Sequence, residues 1–160
     1  MEKKIIQIEY ERFSGMEDLA AADRELCEAA IKAIDGSYSP YSRFKVGAAV
    51  RLSDGSIASG ANQENAASPS GLCAERTAMF AAHASHPELS MKSIAIASFY
   101  KGALSDTVTS PCGACRQVMA EYQKLSGQDM SIILYSTGEI LKFKKVDDLL
   151  PFIFNNLETV

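Results

Sequence analysis

Two short cysteine segments limit this chain more than anything else in it. They are Cys73-Ala74-Glu75-Arg76 and Pro111-Cys112-Gly113-Ala114-Cys115. A C-x-x-C pair with a third cysteine far upstream supplies the sulfurs for three corners of a tetrahedral zinc. Three thiolates leave one corner open, which is how catalytic zinc sites are built, whereas structural sites close it with a fourth protein ligand. The candidates for a fourth ligand are Cys27, His83 and His86. Cys27 falls on the apolar stripe of an expected helix and reads as a small buried hydrophobe. His83 and His86 lie near the far end of the helix that opens at Cys73, and read as surface residues. Alone, the C-x-x-C would also fit a redox dithiol or half of a zinc knuckle. Glu75 is not needed as a ligand and stands where it can move protons to and from a water at the open corner. Arg76, one helical turn from Cys73, can donate hydrogen bonds to the sulfurs and offset the excess negative charge of three thiolates on one divalent cation.

Both cysteine segments sit where a loop becomes a helix. A helix N-terminus carries a partial positive charge and unpaired N–H groups, which lower thiol pKa values. The rest of the pattern surrounds them. Apolar residues at helical spacing (Leu19, Leu26, Cys27, Ala30, Ile31, Ile34) predict a helix over 16–34, closed by Asp35-Gly36. Strands are expected at 44–52 and 57–61 around an Asp54-Gly55 hairpin turn, then at 93–99, 131–135 and 140–144. Helices are expected at 73–85, 112–124 and 146–154. Alternating strands and helices after an antiparallel hairpin imply an α/β fold, a three-layer α/β/α arrangement with a mixed five-stranded sheet. Residues 1–15 read as an N-terminal extension with a possible short strand over 5–10, ahead of a single domain at 16–160.

At 160 residues, 47% of them hydrophobic, the chain can bury a sizeable core. A net charge of −4 and a pI near 5.2 oppose a polyanionic substrate, so no nucleic-acid partner is expected. No apolar run approaches the roughly 20 residues that cross a bilayer. The interrupted N-terminus does not fit a secretory signal. A cytoplasmic protein is expected, in which thiols stay reduced.

With these residues laid out, the chain resembles the cytidine deaminases of the small, three-cysteine, homotetrameric type. The likeness spans about 16–154 and includes Tyr41-Ser42-Arg43-Phe44-Lys45-Val46-Gly47-Ala48-Ala49 and Gly60-Ala61-Asn62-Gln63-Glu64-Asn65-Ala66. Cys-x-Glu followed by Pro-Cys-x-x-Cys belongs to zinc deaminases at large; the Asn-x-Glu loop and the Phe-x-Val-Gly-Ala strand narrow it to nucleoside deaminases. The resemblance implies one Zn2+ per subunit on Cys73, Cys112 and Cys115, with Glu75 as proton shuttle while zinc-activated water attacks C4 of cytosine. The products would be uridine or deoxyuridine, as in pyrimidine salvage. It also implies that Asn62 and Glu64 hold sugar hydroxyls, that Phe44 packs against the pyrimidine, and that Ala74 contacts the substrate. Phe154, in Leu149-Leu150-Pro151-Phe152-Ile153-Phe154, would reach a neighbouring subunit's site. Ser68 stands where many relatives carry a tyrosine. The closest alternative is another aminopyrimidine nucleoside such as blasticidin S, whose deaminase lacks the Asn-x-Glu loop. Editing of RNA or DNA is disfavoured by acidity and by the missing aromatic, basic groove. Intact Glu75 and the absent fourth ligand oppose a catalytically silent, zinc-stabilised binding module.

Overall fold

The structure, a computed structural model, describes residues 1–155. In chain order the elements are β1 (Tyr10–Phe13), α1 (Ala21–Ala33), β2 (Lys45–Leu52), β3 (Ile57–Ala61), α2 (Ala74–Ser85), β4 (Met91–Tyr100), β5 (Ala103–Leu104), α3 (Gly113–Ser126), β6 (Ser131–Tyr135) and β7 (Ile140–Phe143). The strands form one sheet in the order β1-β7-β6-β4-β2-β3, with β5 folded back on the end of β4. β4 and β6 run parallel, joined by α3; the other pairings are antiparallel.

Period-two alternation divides the apolar side chains between two faces. Val46, Ala48, Val50, Ile94, Ile96, Ile132 and Leu134 meet α2 and α3, through Ala78, Met79, Cys115 and Met119. Ala49, Ala95, Ala97 and Ile133 face the other way, against Leu26, Cys27, Ala30 and Ile34. The expected three layers are therefore α1, sheet, and α2 with α3. Each fully buried Ile or Leu in these layers contributes roughly 1.5–3 kcal/mol.

Two glycines let helices rest directly on the sheet. A Cβ added to Gly47 in β2 would lie 2.1 Å from the Ala30 carbonyl oxygen, and one on Gly60 in β3 would lie 2.5 Å from the Ala78 nitrogen. The second contact seats α2 against β3, which sets where α2 begins and so where Cys73 stands.

Four expectations are revised. The five anticipated strands lie side by side in the order β7-β6-β4-β2-β3, and β1 and the two-residue β5 extend the sheet to seven. The N-terminal strand lies at Tyr10–Phe13, later than 5–10, because that is where β7 offers a partner: Tyr10 faces Phe143 and Phe13 faces Ile140, with Arg12 bonded to Glu139 at 2.6 Å. The terminal helix over 146–154 shrinks to one 3-10 turn at Val146–Asp148. Pro151 lacks the N–H that a helix needs and disfavours helical backbone in Leu150 before it. The first helix is also shorter than 16–34: Met16–Asp18 forms a separate 3-10 turn, whose carbonyls at Met16 and Glu17, with that of Leu19, accept from the Arg24 guanidinium.

Candidate active site

Cys73 is the N-cap of α2 and Cys112 the N-cap of α3, each in extended backbone with no side-chain capping bond. Cys115 lies in the first turn of α3, fully buried. The free N–H groups of two helix starts thus converge on the sulfurs. Close seating of both helices on one sheet face brings together residues 39 and 42 positions apart in sequence, and the three sulfurs lie within 4.8 Å of one another. The Cys73 and Cys112 Sγ atoms are 3.8 Å apart. Tetrahedral zinc with Zn–S bonds of about 2.3 Å separates its sulfurs by about 3.8 Å, so the spacing fits that ion.

The other metal-binding candidates stand elsewhere. Cys27 is buried under the opposite sheet face, its thiol pushed up to about 12, first by burial and then by Asp23 and Glu28. His83 packs its ring 5.2 Å from that of Tyr122, and His86 is exposed.

The electrostatics favour a thiolate at Cys73. A hydrogen bond from Cys115, then the Arg76 guanidinium and Cys112, bring Cys73 down to about 5, a thiolate at neutral pH. The same bond, with burial, raises Cys115 above the usual thiol range. Arg76 reaches the Cys73 sulfur through Nη2 at 3.9 Å, and its buried Nε has no hydrogen-bond partner. Glu75 is 4% exposed. Burial pushes its carboxyl above the usual range, the adjoining Cys73 adding to the effect. Ala74, the first residue of α2, is fully buried, so what it offers a ligand is limited to its small size and its backbone.

A cavity of about 510 Å³ opens beside the cluster, with Cys73, Arg76, Asn62, Glu64 and Ser68 in its wall. Of the expected substrate contacts it brings together Asn62 and Glu64. Phe44 is not in its wall, and packs 5.6 Å from the Tyr100 ring and against the core. Phe154 is 64% exposed, with its carbonyl accepting from Gln117 Nε2 at 2.8 Å.

Asn62 and Glu64 turn out to organise their own surroundings. Asn62 Oδ1 accepts from the Val46 N–H at 2.8 Å and from the Ser37 hydroxyl at 2.6 Å, while Nδ2 donates to the Phe44 carbonyl at 2.9 Å. Glu64 accepts from the backbone N–H groups of Tyr41 (2.8 Å) and Ser42 (3.2 Å). It steadies a turn in which Arg43 takes a left-handed φ of 57°. Hydrogen bonding from Ser42 and Tyr41 holds the Glu64 carboxyl below its ordinary range. Sequence reasoning missed Ser37, Tyr41, Gln63 and Leu72, the first as a partner of Asn62 and the others as cavity wall. Tyr41 and Gln63 stand inside the quoted motifs and Leu72 adjoins Cys73, whereas nothing in the sequence singles out Ser37.

Comparison with known proteins agrees with this geometry. Residues 20–126 match the family model described as the cytidine and deoxycytidylate deaminase zinc-binding region. A cytidine deaminase of Halalkalibacterium halodurans is 43% identical over 133 residues, covering 82% of this chain and 94% of the relative. A more distant relative, the blasticidin-S deaminase of Bacillus cereus, is 27% identical over 136 residues, 84% of this chain and 93% of its own. The crystal structure of the Burkholderia pseudomallei cytidine deaminase superposes with a TM-score of 0.68 at 38% identity, covering 81% of this chain and 97% of that one. The Mycobacterium tuberculosis cytidine deaminase gives 0.64 at 32% identity, over 82% and 95%. Three sulfurs at zinc spacing beside a buried glutamate, inside a region that the family model covers, place this chain in the cytidine and deoxycytidylate deaminase family.

Proposed function

We propose that the protein deaminates cytidine and deoxycytidine hydrolytically, giving uridine or deoxyuridine and ammonia. The observation that carries this is the convergence of Cys73, Cys112 and Cys115 at two helix starts, next to buried Glu75 and a cavity walled by Asn62 and Glu64. Zinc held by those sulfurs supplies the Lewis acidity that makes water nucleophilic near neutral pH. Glu75 accepts the first proton that water gives up and delivers it to the ring nitrogen, then takes the proton of the new C4 hydroxyl and passes it to the amino group, which leaves as ammonia as C4 becomes a carbonyl. Its carboxyl, whose pKa burial raises, suits both directions of transfer. Arg76 steadies the Cys73 thiolate.

Glu64 is the carboxylate we assign to the sugar. Two backbone donors leave acceptor capacity on its two oxygens for a hydroxyl. Asn62 keeps one amide hydrogen beyond the bond to Phe44. Phe44 and Ala74 would border the base. In this reading the deaminase unit begins near residue 16 and works as a homotetramer in the cytoplasm. The exposed Phe154 ring supports the assembly, since it stands free to enter a neighbouring subunit's cavity. All four cysteines are free thiols, as suits a reducing compartment. No helix among the described residues is long and apolar enough to cross a membrane.

The test is loss of ultraviolet absorbance with zinc-loaded protein on cytidine and deoxycytidine, beside blasticidin S and free cytosine. Turnover of the two nucleosides is expected, with Glu75→Gln retaining zinc and losing about 10²–10⁴-fold in rate. Preference for blasticidin S, or near-normal rate in Glu75→Gln, would overturn the assignment.

A further inference from the structure

Residues 1–9 lie outside the region that the family model covers, and among the described residues their backbone pairs with no strand. They are exposed throughout, with Ile5, Ile6 and Ile8 among the exposed large hydrophobics of the molecule. They lead directly into β1, which is bonded to β7 on one edge and open on the other. An open edge offers a row of unpaired N–H and C=O groups to another strand. Continued N-terminally as a strand, β1 would carry Ile6, Ile8 and Tyr10 on one face, and Tyr10 already packs 5.5 Å from Phe143 at the margin of the core.

The order of charges identifies the strand that fits. We propose that this edge pairs with the same edge of a second copy of the chain, antiparallel about a two-fold axis through Gln7. In that register Lys3 faces Glu11, Glu2 faces Arg12, and Ile6 faces Ile8, each pair occurring twice. Opposite charges directly across an antiparallel pair are favourable and like charges are not. Shifting the register by one in either direction sets Glu2 against Glu11 or Lys3 against Arg12. Shifting it by two toward the C-terminus sets Lys4 against Arg12. Arg12 already holds Glu139 through Nε, which leaves its other N–H groups for Glu2 of the second copy. Glu2 and Lys4 are 3.9 Å apart within one chain and both highly exposed, a contact that an added strand can replace. Two copies joined in this way would share one continuous sheet through their β1 edges, on the side away from β7.

Cross-linking reads the register. Residues directly opposed in an antiparallel pair have Cα atoms about 4.5–5.5 Å apart, within disulfide reach. Only position 7 faces itself. Gln7→Cys should therefore form a reducible, disulfide-linked dimer under mild oxidation, well above the background of the unsubstituted protein, whose Cys112 is exposed. Ile6→Cys and Glu9→Cys should stay at background. In sedimentation, Lys3→Glu should reduce association, and Lys3→Glu combined with Glu11→Lys should restore it, because the swap rebuilds both ion pairs. The proposal is overturned if Gln7→Cys stays at background, if Ile6→Cys links better than Gln7→Cys, or if the charge swap fails to recover what the single reversal loses. None of these residues touches the cavity beside the cysteines, so activity assays of the same variants separate this contact from the deaminase assignment.

Discussion

Replacing Asn62 with alanine separates two roles for that residue. In the structure its carboxamide makes bonds to the Val46 N–H, the Ser37 hydroxyl and the Phe44 carbonyl, all shorter than 3.0 Å. Val46 is 8% exposed, so water cannot readily replace the lost acceptor at its N–H. A hydrogen bond of this kind contributes about 0.5–1.5 kcal/mol net, and a buried donor left unpaired costs about 1–3 kcal/mol. Summed over the three contacts, the expected loss is about 2–4 kcal/mol. That is a large part of a total stability of roughly 5–15 kcal/mol. For a chain of this size it corresponds to a fall in Tm of about 4–16 °C. The assay is urea or thermal unfolding at fixed zinc and protein concentration, since ligand and assembly both shift the midpoint. Asn62→Asp is the informative companion. It keeps an acceptor for Val46 and Ser37 but loses the donor to Phe44, so it should fall between the alanine variant and the unsubstituted protein. A loss below about 1 kcal/mol in Asn62→Ala, accompanied by a rise in KM alone, would refute the scaffold role and leave Asn62 as a sugar contact only.

Three further outcomes follow from the packing and the charges around the cluster. Gly60→Ala drives a methyl group into the α2 backbone at Ala78; overpacking of this kind costs about 1–3 kcal/mol or more, and a displaced α2 should lower zinc per chain as well as the unfolding midpoint. Arg76→Met removes the donor at 3.9 Å from the Cys73 sulfur and should weaken zinc retention against a competing chelator by about 10–100-fold; unchanged affinity would make Arg76 a bystander. Cys27→Ser should leave metal content per chain unchanged, because Cys27 lies under the opposite sheet face, while the buried hydroxyl costs about 1–3 kcal/mol if it finds no partner.

Much of the molecule was legible because its signals are local. The positions of the inner strands follow from apolar alternation, and Asp54-Gly55 marks the hairpin, where Gly55 takes a φ of 92°. The helices opening at Cys73 and Cys112 follow from alanine-rich sequence and from Pro111. What went astray did so where a distant partner decides. Residues 5–10 are more apolar than Tyr10–Phe13, yet the strand forms at the latter, where β7 supplies hydrogen bonds. The helix expected over 146–154 stops after Asp148, because Pro151 and its constraint on Leu150 bar further helical turns.

The chain's own order of residues determined the chemistry available to it: soft ligands in a C-x-x-C and a lone upstream cysteine, a glutamate beside that cysteine that no metal requires, and an Asn-x-Glu loop after a hairpin. Folding decided how those groups are used. Close contact at Gly60 and a shared sheet face set the cysteines within 4.8 Å of one another. Burial raised the proton affinity of Glu75, and the return of the chain past Phe44 engaged Asn62 with backbone groups that it could not have met in sequence. The division has a simple physical origin: ligand type and helix start depend on neighbours along the chain, whereas desolvation and hydrogen-bond partnership depend on neighbours across space.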